Sequence, residues 1–185
     1  MSIYSFDKIK IKDIEYHCPE KIGTYYYSKI MYQGGPLMVI TPRLKSRLTG
    51  AALLQKSQIS LDAEIIDKDF RFYDFMLNVD DRNIKETCHR SQEWFQKNIP
   101  LELIDDMYKR TNKPLKKQEN PSFQLKLPVC KGELQCVIYD QHKIKHDIQE
   151  IQEDTELTCV LHIKGLKFLK QHYYCDCYIS QIKIH

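Results

Sequence analysis

The stretch ELTCVLHIKGLKFLKQHYYCDCYISQIKI, from Glu156 to Ile184, decides the fold. It reads as two strands, 156–163 and 168–184, with Lys164-Gly165 marking a hairpin turn between them. The second strand is long enough to need a bend or a bulge. Upstream, 122–129 and 134–140 read as further strands, with a turn at Lys131-Gly132. Near the other end, 3–16 carries one or two strands. The segment TYYYSKIMY, 24–32, is aromatic and β-branched. Gln33-Gly34-Gly35-Pro36 is a turn signal and 37–41 returns, so 24–41 predicts a hairpin. Residues 42–50 read as a basic loop. Ile59, Leu61, Ala63 and Ile65 alternate, which predicts a half-buried strand over 58–66.

Between the two strand sets the apolar period changes. Phe72, Phe75, Met76, Val79, Ile84, Cys88, Trp94 and Phe95 recur at helical spacing. The pattern predicts a helix over 69–78, a turn over 79–83 and a second helix over 83–98, capped by Asp81 and ended by Pro100. A third, amphipathic helix is expected over 101–110. Trp94 and Phe95 share the apolar stripe, which assigns them to the core. Residues 111–121 hold two prolines and read as a loop. The expectation is one β-rich α+β domain over 1–185, an antiparallel barrel with a helical insertion at about 69–110. Among small barrels the oligonucleotide-binding fold accepts such insertions. Periodicity alone leaves a sandwich open.

Composition bounds the function classes. The chain has 185 residues, 42% hydrophobic and 29% charged, which is globular composition. No run approaches the roughly 18–20 apolar residues of a membrane span, and the N-terminal MSIYSFDKIKIKD lacks a secretion signal's apolar centre. An intracellular protein without membrane association is the expectation. The seven cysteines are an odd count, which argues for reduced thiols. Cys175 and Cys177 would share one strand face near His172, but no second pair completes a zinc site.

The net charge of +3 is mild, yet its distribution is uneven. No acid occurs between Lys21 and Leu61, where Lys21, Lys29, Arg43, Lys45, Arg47 and Lys56 are basic. Lys164, Lys167 and Lys170 form another acid-free stretch. Five acids crowd 147–156 with no base among them. A positive face opposite an acidic patch is expected.

Signatures of catalysis are missing. There is no GxxxxGK[ST], GxGxxG, HExxH or GxSxG. Cys88 and His89 are adjacent and cannot face each other on a helix. Asp80-Asp81 and Asp105-Asp106 are carboxylate pairs of the kind that hold nuclease metals, though helix capping and solvated helix surface account for them better. No cofactor and no catalytic residue is expected.

Aromatic rings interleaved with cations are the stronger signal. Cations neutralise phosphates and release counterions, and ring faces stack unpaired bases. The candidate nucleic-acid-binding residues are Tyr25, Tyr27, Lys29 and Tyr32 from the first acid-free segment, with Arg43, Lys45, Arg47 and Lys56 after them. Lys167, Phe168, Lys170 and Tyr173 join from the second. The partner expected is single-stranded DNA, or RNA, with replication proteins and self-association as further partners.

Several short motifs carry a resemblance. Ile40-Thr41-Pro42-Arg43-Leu44-Lys45 follows the first hairpin, and QISLDAEI forms the next strand. Trp94-Phe95 lies in the helical part, Gly165-Leu166-Lys167-Phe168 comes late, and Gln181-Ile182-Lys183-Ile184 ends the last strand. In this order the chain resembles single-stranded-DNA-binding-like proteins of nucleocytoplasmic large DNA viruses. The resemblance implies a viral replication or recombination protein that coats single strands with an oligonucleotide-binding barrel. It implies phosphate contact by Arg43 and Lys45 and base stacking by Phe168. One departure is plain: binders of one such class end in an acidic, polymerase-recruiting tail, whereas this chain ends Lys183-Ile184-His185. A β-rich assembly protein and a small metal-dependent nuclease using Asp80, Asp81 or Asp105 are the alternatives.

Overall fold

The computed structural model describes residues 1–54, 60–66, 70–112, 114–115, 117 and 120–185. The chain opens with β1 (Tyr4–Ser5), two 3-10 turns, β2 (Ile14–Tyr16) and β3 (Glu20–Ile22). The expected hairpin follows as β4 (Tyr25–Tyr32) and β5 (Gly35–Ile40), closed by Gln33 and Gly34 at φ 48° and 75°. Both central residues have positive φ, the hairpin geometry that matches strand twist. Next come β6 (Leu44–Ser46), α1 (Gly50–Leu54) and β7 (Ser60–Ile65). The helical part is α2 (Arg71–His89), α3 (Ser91–Phe95) and α4 (Leu101–Met107). Strands β8 (Tyr108–Lys109), β9 (Ser122–Lys126), β10 (Val129–Cys130), β11 (Glu133–Leu134) and β12 (Val137–Tyr139) precede the long pair β13 (Glu156–Phe168) and β14 (Tyr173–Ile184).

Five strands close a barrel. Strand β13 pairs β6, β6 pairs β7, β7 pairs β9, β9 pairs β14, and β14 returns to β13. Four contacts are antiparallel and β9–β14 is parallel, so the barrel is mixed rather than antiparallel as expected. The reason is arithmetic: a closed ring with an odd number of strands cannot alternate direction all the way round. Beyond the barrel, β13 continues past β6 to pair β5 and then β4. The same strand thus belongs to the barrel at one end and to an outer layer at the other.

Three expectations change. Lys164-Gly165 is not a turn: β13 runs on to Phe168 through a register shift between Ile163 and Gly165, and the chain reverses at 169–172. The 79–83 turn is absent because α2 is continuous there. Asp80 and Asn83, which looked like turn residues, are fully buried and hydrogen-bonded inside the core. Tyr108 Oη donates to Asp80 Oδ1 at 2.5 Å, Asn83 Nδ2 donates to Tyr108 Oη at 3.0 Å, and Tyr16 Oη donates to Asn83 Oδ1 at 2.5 Å. A buried polar group costs little once paired, so the helix keeps them. Finally, the basic loop 42–50 contains strand β6, whose Leu44 and Ser46 face the core.

The acidic segment does not lie opposite the basic one. Register places Glu156 beside Lys45. Arg43 Nη1 reaches Glu156 Oε2 at 3.0 Å, and Lys45 Nζ lies 3.3 Å from Asp154 and 3.7 Å from Glu64. Farther along, His146 holds Glu150 Oε2 at 2.6 Å through Nδ1 and Asp140 Oδ2 at 3.2 Å through Nε2. Both ring nitrogens face carboxylates, first Glu150 and then Asp140, and the imidazolium is favoured above its usual range. Because the folded pKa is raised, the stabilisation is complete below the unfolded value and is lost as pH rises through the folded one. We expect His146 to titrate above pH 6.5 by NMR, while His162 and His185, held down mainly by burial, titrate below it. His146→Gln should lower the unfolding midpoint at pH 6 and leave it unchanged at pH 9.

Candidate functional site

Alternation along three neighbouring strands builds one outward face. On β4, Ser28, Ile30 and Tyr32 are buried, which leaves Tyr25, Tyr27 and Lys29 on the other side. On β14, Tyr173, Cys175, Cys177 and Ile179 turn inward. Tyr174 and Tyr178 therefore point outward, with the largely buried Asp176 between them. Strand β13 runs between these two, bringing Lys167 opposite both Tyr27 and Tyr174. Tyr25, Tyr27, Lys29, Lys167, Asp176 and Tyr178 line a cleft of about 660 Å³ that also includes His17, Glu20, His162 and Lys164, while Tyr174 lies with Lys126 in a neighbouring depression of about 400 Å³. The cleft adjoins a shallower depression of about 500 Å³ through the shared residues His162, Lys164 and Tyr178.

Gly165 makes the cleft possible. A Cβ there would fall 2.4 Å from Tyr27 Cε1 and 2.5 Å from the Ser28 carbonyl oxygen. Only a bare backbone lets the Tyr27 ring lie across β13. The ring then reaches the third strand, where Tyr27 Oη donates to Asp176 Oδ2 at 2.9 Å. Burial and the Asp176 charge hold the Tyr27 phenol well above its ordinary pKa, so it remains a donor. Tyr178 is pushed up to about 12, by burial first and then by Asp176.

Cations sit on the rings. Lys167 Nζ lies 4.3 Å from the Tyr25 ring centre, and Lys126 Nζ lies 4.3 Å from Tyr174 and 5.9 Å from Tyr178. Lys126 also approaches Asp176 Oδ1 at 3.9 Å. Lys29, Lys164 and Lys167 have no acidic partner within ion-pair distance among the described residues. Burial, with Lys164 adding to it, keeps His162 neutral to below its usual pKa. The cleft is a ring-lined surface with Lys29, Lys164 and Lys167 along it, the Asp176 carboxylate at its floor and Glu20, paired beside Tyr27, in its wall.

Of the twelve residues expected at a binding site, this face gathers Tyr25, Tyr27, Lys29 and Lys167. Tyr32 is 2% exposed, packed edge-on against Tyr4, with its hydroxyl accepting from the Lys10 amide. Phe168 and Tyr173 are buried and stacked on each other at 5.0 Å, with Trp94 and Phe95 against Phe168. Extracting such a ring costs about 1.5–3 kcal/mol, as much as a stacked base returns, about 1–3 kcal/mol. These three rings belong to the core. Arg43 and Lys45 are tied to acids, Arg47 is exposed at the end of β6 and lines none of these depressions, and Lys56 lies outside the described residues. Lys170 edges a separate apolar cleft of about 260 Å³ beside Tyr26 and Met107. Tyr174 and Tyr178 belonged to the aromatic stretch near Lys170, and strand alternation from Cys175 and Cys177 would have placed them outward. Lys126 gave no signal, because only tertiary pairing brings β9 beside β14.

The carboxylates proposed for a metal are otherwise engaged. Asp80 is buried under Tyr108 and Thr111, while Asp81 and Asp105 share Arg110 at 3.1 Å each. Among the described residues no group of three or more His, Cys, Asp or Glu is arranged to hold a metal ion. Nor, among them, is any helix long and apolar enough to cross a membrane.

Fold and cleft define a β-rich α+β barrel protein with a concave, tyrosine- and lysine-lined sheet face. The chain belongs to DUF5871, a family of unknown function whose profile matches residues 55–185. That span carries the barrel strands from β7 onward and the β13–β14 side of the cleft, while Tyr25, Tyr27 and Lys29 precede it. No curated protein matches the chain.

Two measurements check this geometry. Gly165→Ala should destabilise the protein by about 1–3 kcal/mol, read as a lowered urea midpoint, because the Ser28 carbonyl cannot swing away. Asp176→Asn should bring the Tyr178 phenol down from about 12 but keep it above 10 in an ultraviolet titration, since burial is the larger cause.

Proposed function

We propose that the face formed by β4, β13 and β14 binds single-stranded nucleic acid in a sequence-tolerant way. The observation that carries this reading is convergence. Two segments more than a hundred residues apart, each rich in rings and lysines, become neighbouring strands, with Lys167 paired opposite Tyr27. Phosphates would run along Lys29, Lys164 and Lys167, and bases would stack on Tyr25, Tyr174 and Tyr178. The barrel supports an oligonucleotide-binding-like assignment through its circuit. In barrel order the strands run first, second, third, fifth, fourth and back to the first, a five-stranded Greek-key closure. The cleft uses the third, fifth and fourth strands and the added β4, rather than the second–third face usual for that fold. A coating role in replication or recombination goes with this reading, without Arg43, Lys45 or Phe168 as contacts.

Fluorescence anisotropy with a labelled oligo-dT at 50 and 200 mM salt tests it. Affinity should fall steeply with salt. Lys29→Ala/Lys167→Ala should weaken binding to all sequences alike and flatten the logarithmic salt slope by about 1.4, two phosphates' worth. Tyr178→Ala should cost about 1–3 kcal/mol and leave the slope unchanged. Arg43→Ala/Lys45→Ala should change little. Absence of binding at 50 mM salt, or a flat salt response, would end the proposal.

A further inference from the structure

Where the cleft opens into the depression of about 500 Å³ beside it, an imidazole stands in the passage. His162 lines both hollows, as do Lys164 and Tyr178. On β13, Leu161, Ile163 and Leu166 are buried, so His162, Lys164 and Lys167 share the outward face. Register sets His162 between Met38 of β5 and Tyr178 of β14. A strand that occupies both hollows passes beside this ring.

The groups around the imidazole pull in opposite directions. Burial is the largest influence and disfavours a charge there. Lys164 on the same strand and Lys29 on β4 also oppose it, while Asp176 on β14 favours it. Strand β5 brings no charged side chain, and Tyr178, pushed up to about 12, stays neutral below pH 8. His17, Cys18 and Glu20 line the cleft from the chain before β4. A phosphate laid across Lys29 and Lys164 offsets both repulsions and offers the ring an anionic acceptor. The position that opposes an imidazolium in the free protein then favours one.

We infer that His162 is a further phosphate contact of the bound strand, and that it takes up a proton from water as the strand binds, so that affinity rises as pH falls. The inference rests on the nucleic-acid reading given above. A lysine at this position would be charged with or without a strand and would add to the repulsion around Lys29 and Lys164. The histidine carries its charge only against the phosphate. Because the occupied site holds the proton more tightly than the free one, the gain is complete below the free pKa and is lost as pH rises through the bound one.

The test measures binding of labelled oligo-dT to the full chain by fluorescence anisotropy at pH 5.5, 6.5 and 7.5, a range in which thymine and phosphodiesters do not titrate. Affinity at pH 5.5 should exceed that at pH 7.5 by up to about tenfold for each unit by which the strand raises the His162 pKa. The logarithmic salt slope should steepen by about 0.7 over the same change, one further phosphate's worth. His162→Gln should abolish both effects, and His17→Gln should keep both. By NMR, oligo-dT should raise the titration midpoint of His162 in the unaltered protein, a shift that a purely structural histidine does not show. Binding that is equally tight at all three pH values overturns the inference and leaves strand binding in place. A pH response that survives His162→Gln, or that disappears in His17→Gln, overturns the role given to His162. If no strand binds at any of these pH values, the broader reading fails and this one with it.

Discussion

Tyr27 lies flat over the backbone of Gly165, and the rest of the cleft follows from that contact. Any side chain at 165 would collide with the ring and with the Ser28 carbonyl. With nothing there, a tyrosine from the first hairpin spans the middle strand and bonds Asp176 on the far one. Three strands are thereby tied by one hydroxyl above the backbone ladder. The register shift between Ile163 and Gly165 marks where β13 leaves its β5 partner and takes up β4. The glycine is at once the pivot of the strand and the seat of the ring.

Charge placement follows from pairing rather than from local sequence. The acid-free segment from Lys21 to Leu61 looks like one cationic surface, but β6 lies beside the start of β13. That brings Glu156 and Asp154 onto Arg43 and Lys45. Exposed pairs of this kind add about 0–1 kcal/mol of stability, so their consequence is electrostatic: the positive potential at the loop is cancelled. Among the described residues the lysines on β4 and on the far half of β13 form no such ion pair, so their charge remains at the cleft, where Glu20 and Asp176 also lie. Rings there hold Lys126 and Lys167 by their faces, which keeps the ammonium groups oriented without neutralising them.

The core is closed by the opposite faces of the same strands. Phe168 and Tyr173 flank the 169–172 turn and stack inward under Trp94 and Phe95. Asp80, Asn83, Tyr108 and Tyr16 run a hydrogen-bonded chain beneath the sheet. Burial raises the Asp80 carboxyl, opposed by the Tyr108 and Thr111 hydrogen bonds, and those bonds tether α2 to the segment after α4. The helical part thus braces the inner side of the sheet whose outer side forms the cleft.

Much of this was legible in the chain. Alternation and turn chemistry marked the 24–41 hairpin, the strand around Ala63, and the strand character of 156–184, because period-two burial and positive-φ turns are local properties. The ring-and-lysine signal named Tyr25, Tyr27, Lys29 and Lys167, which share the cleft. What local pattern could not reveal was which side a ring takes when both sides of a strand carry rings. Phe168 and Tyr173 went inward and Tyr174 and Tyr178 outward, a choice fixed by the helices waiting on one side. Asp80 and Asn83 read as a helix break, because their partners Tyr108 and Tyr16 come from elsewhere in the chain. Gly165 read as a turn, because a glycine's missing side chain serves a turn and a close approach equally well, and only the arrival of Tyr27 decides between them. The sequence by itself determined the β-rich class, the hairpins and the stock of rings and cations. Tertiary structure alone decided that β13 pairs β6 at one end and β4 at the other, and so which charges cancel and which remain, since cancellation depends on distance through space and not along the chain.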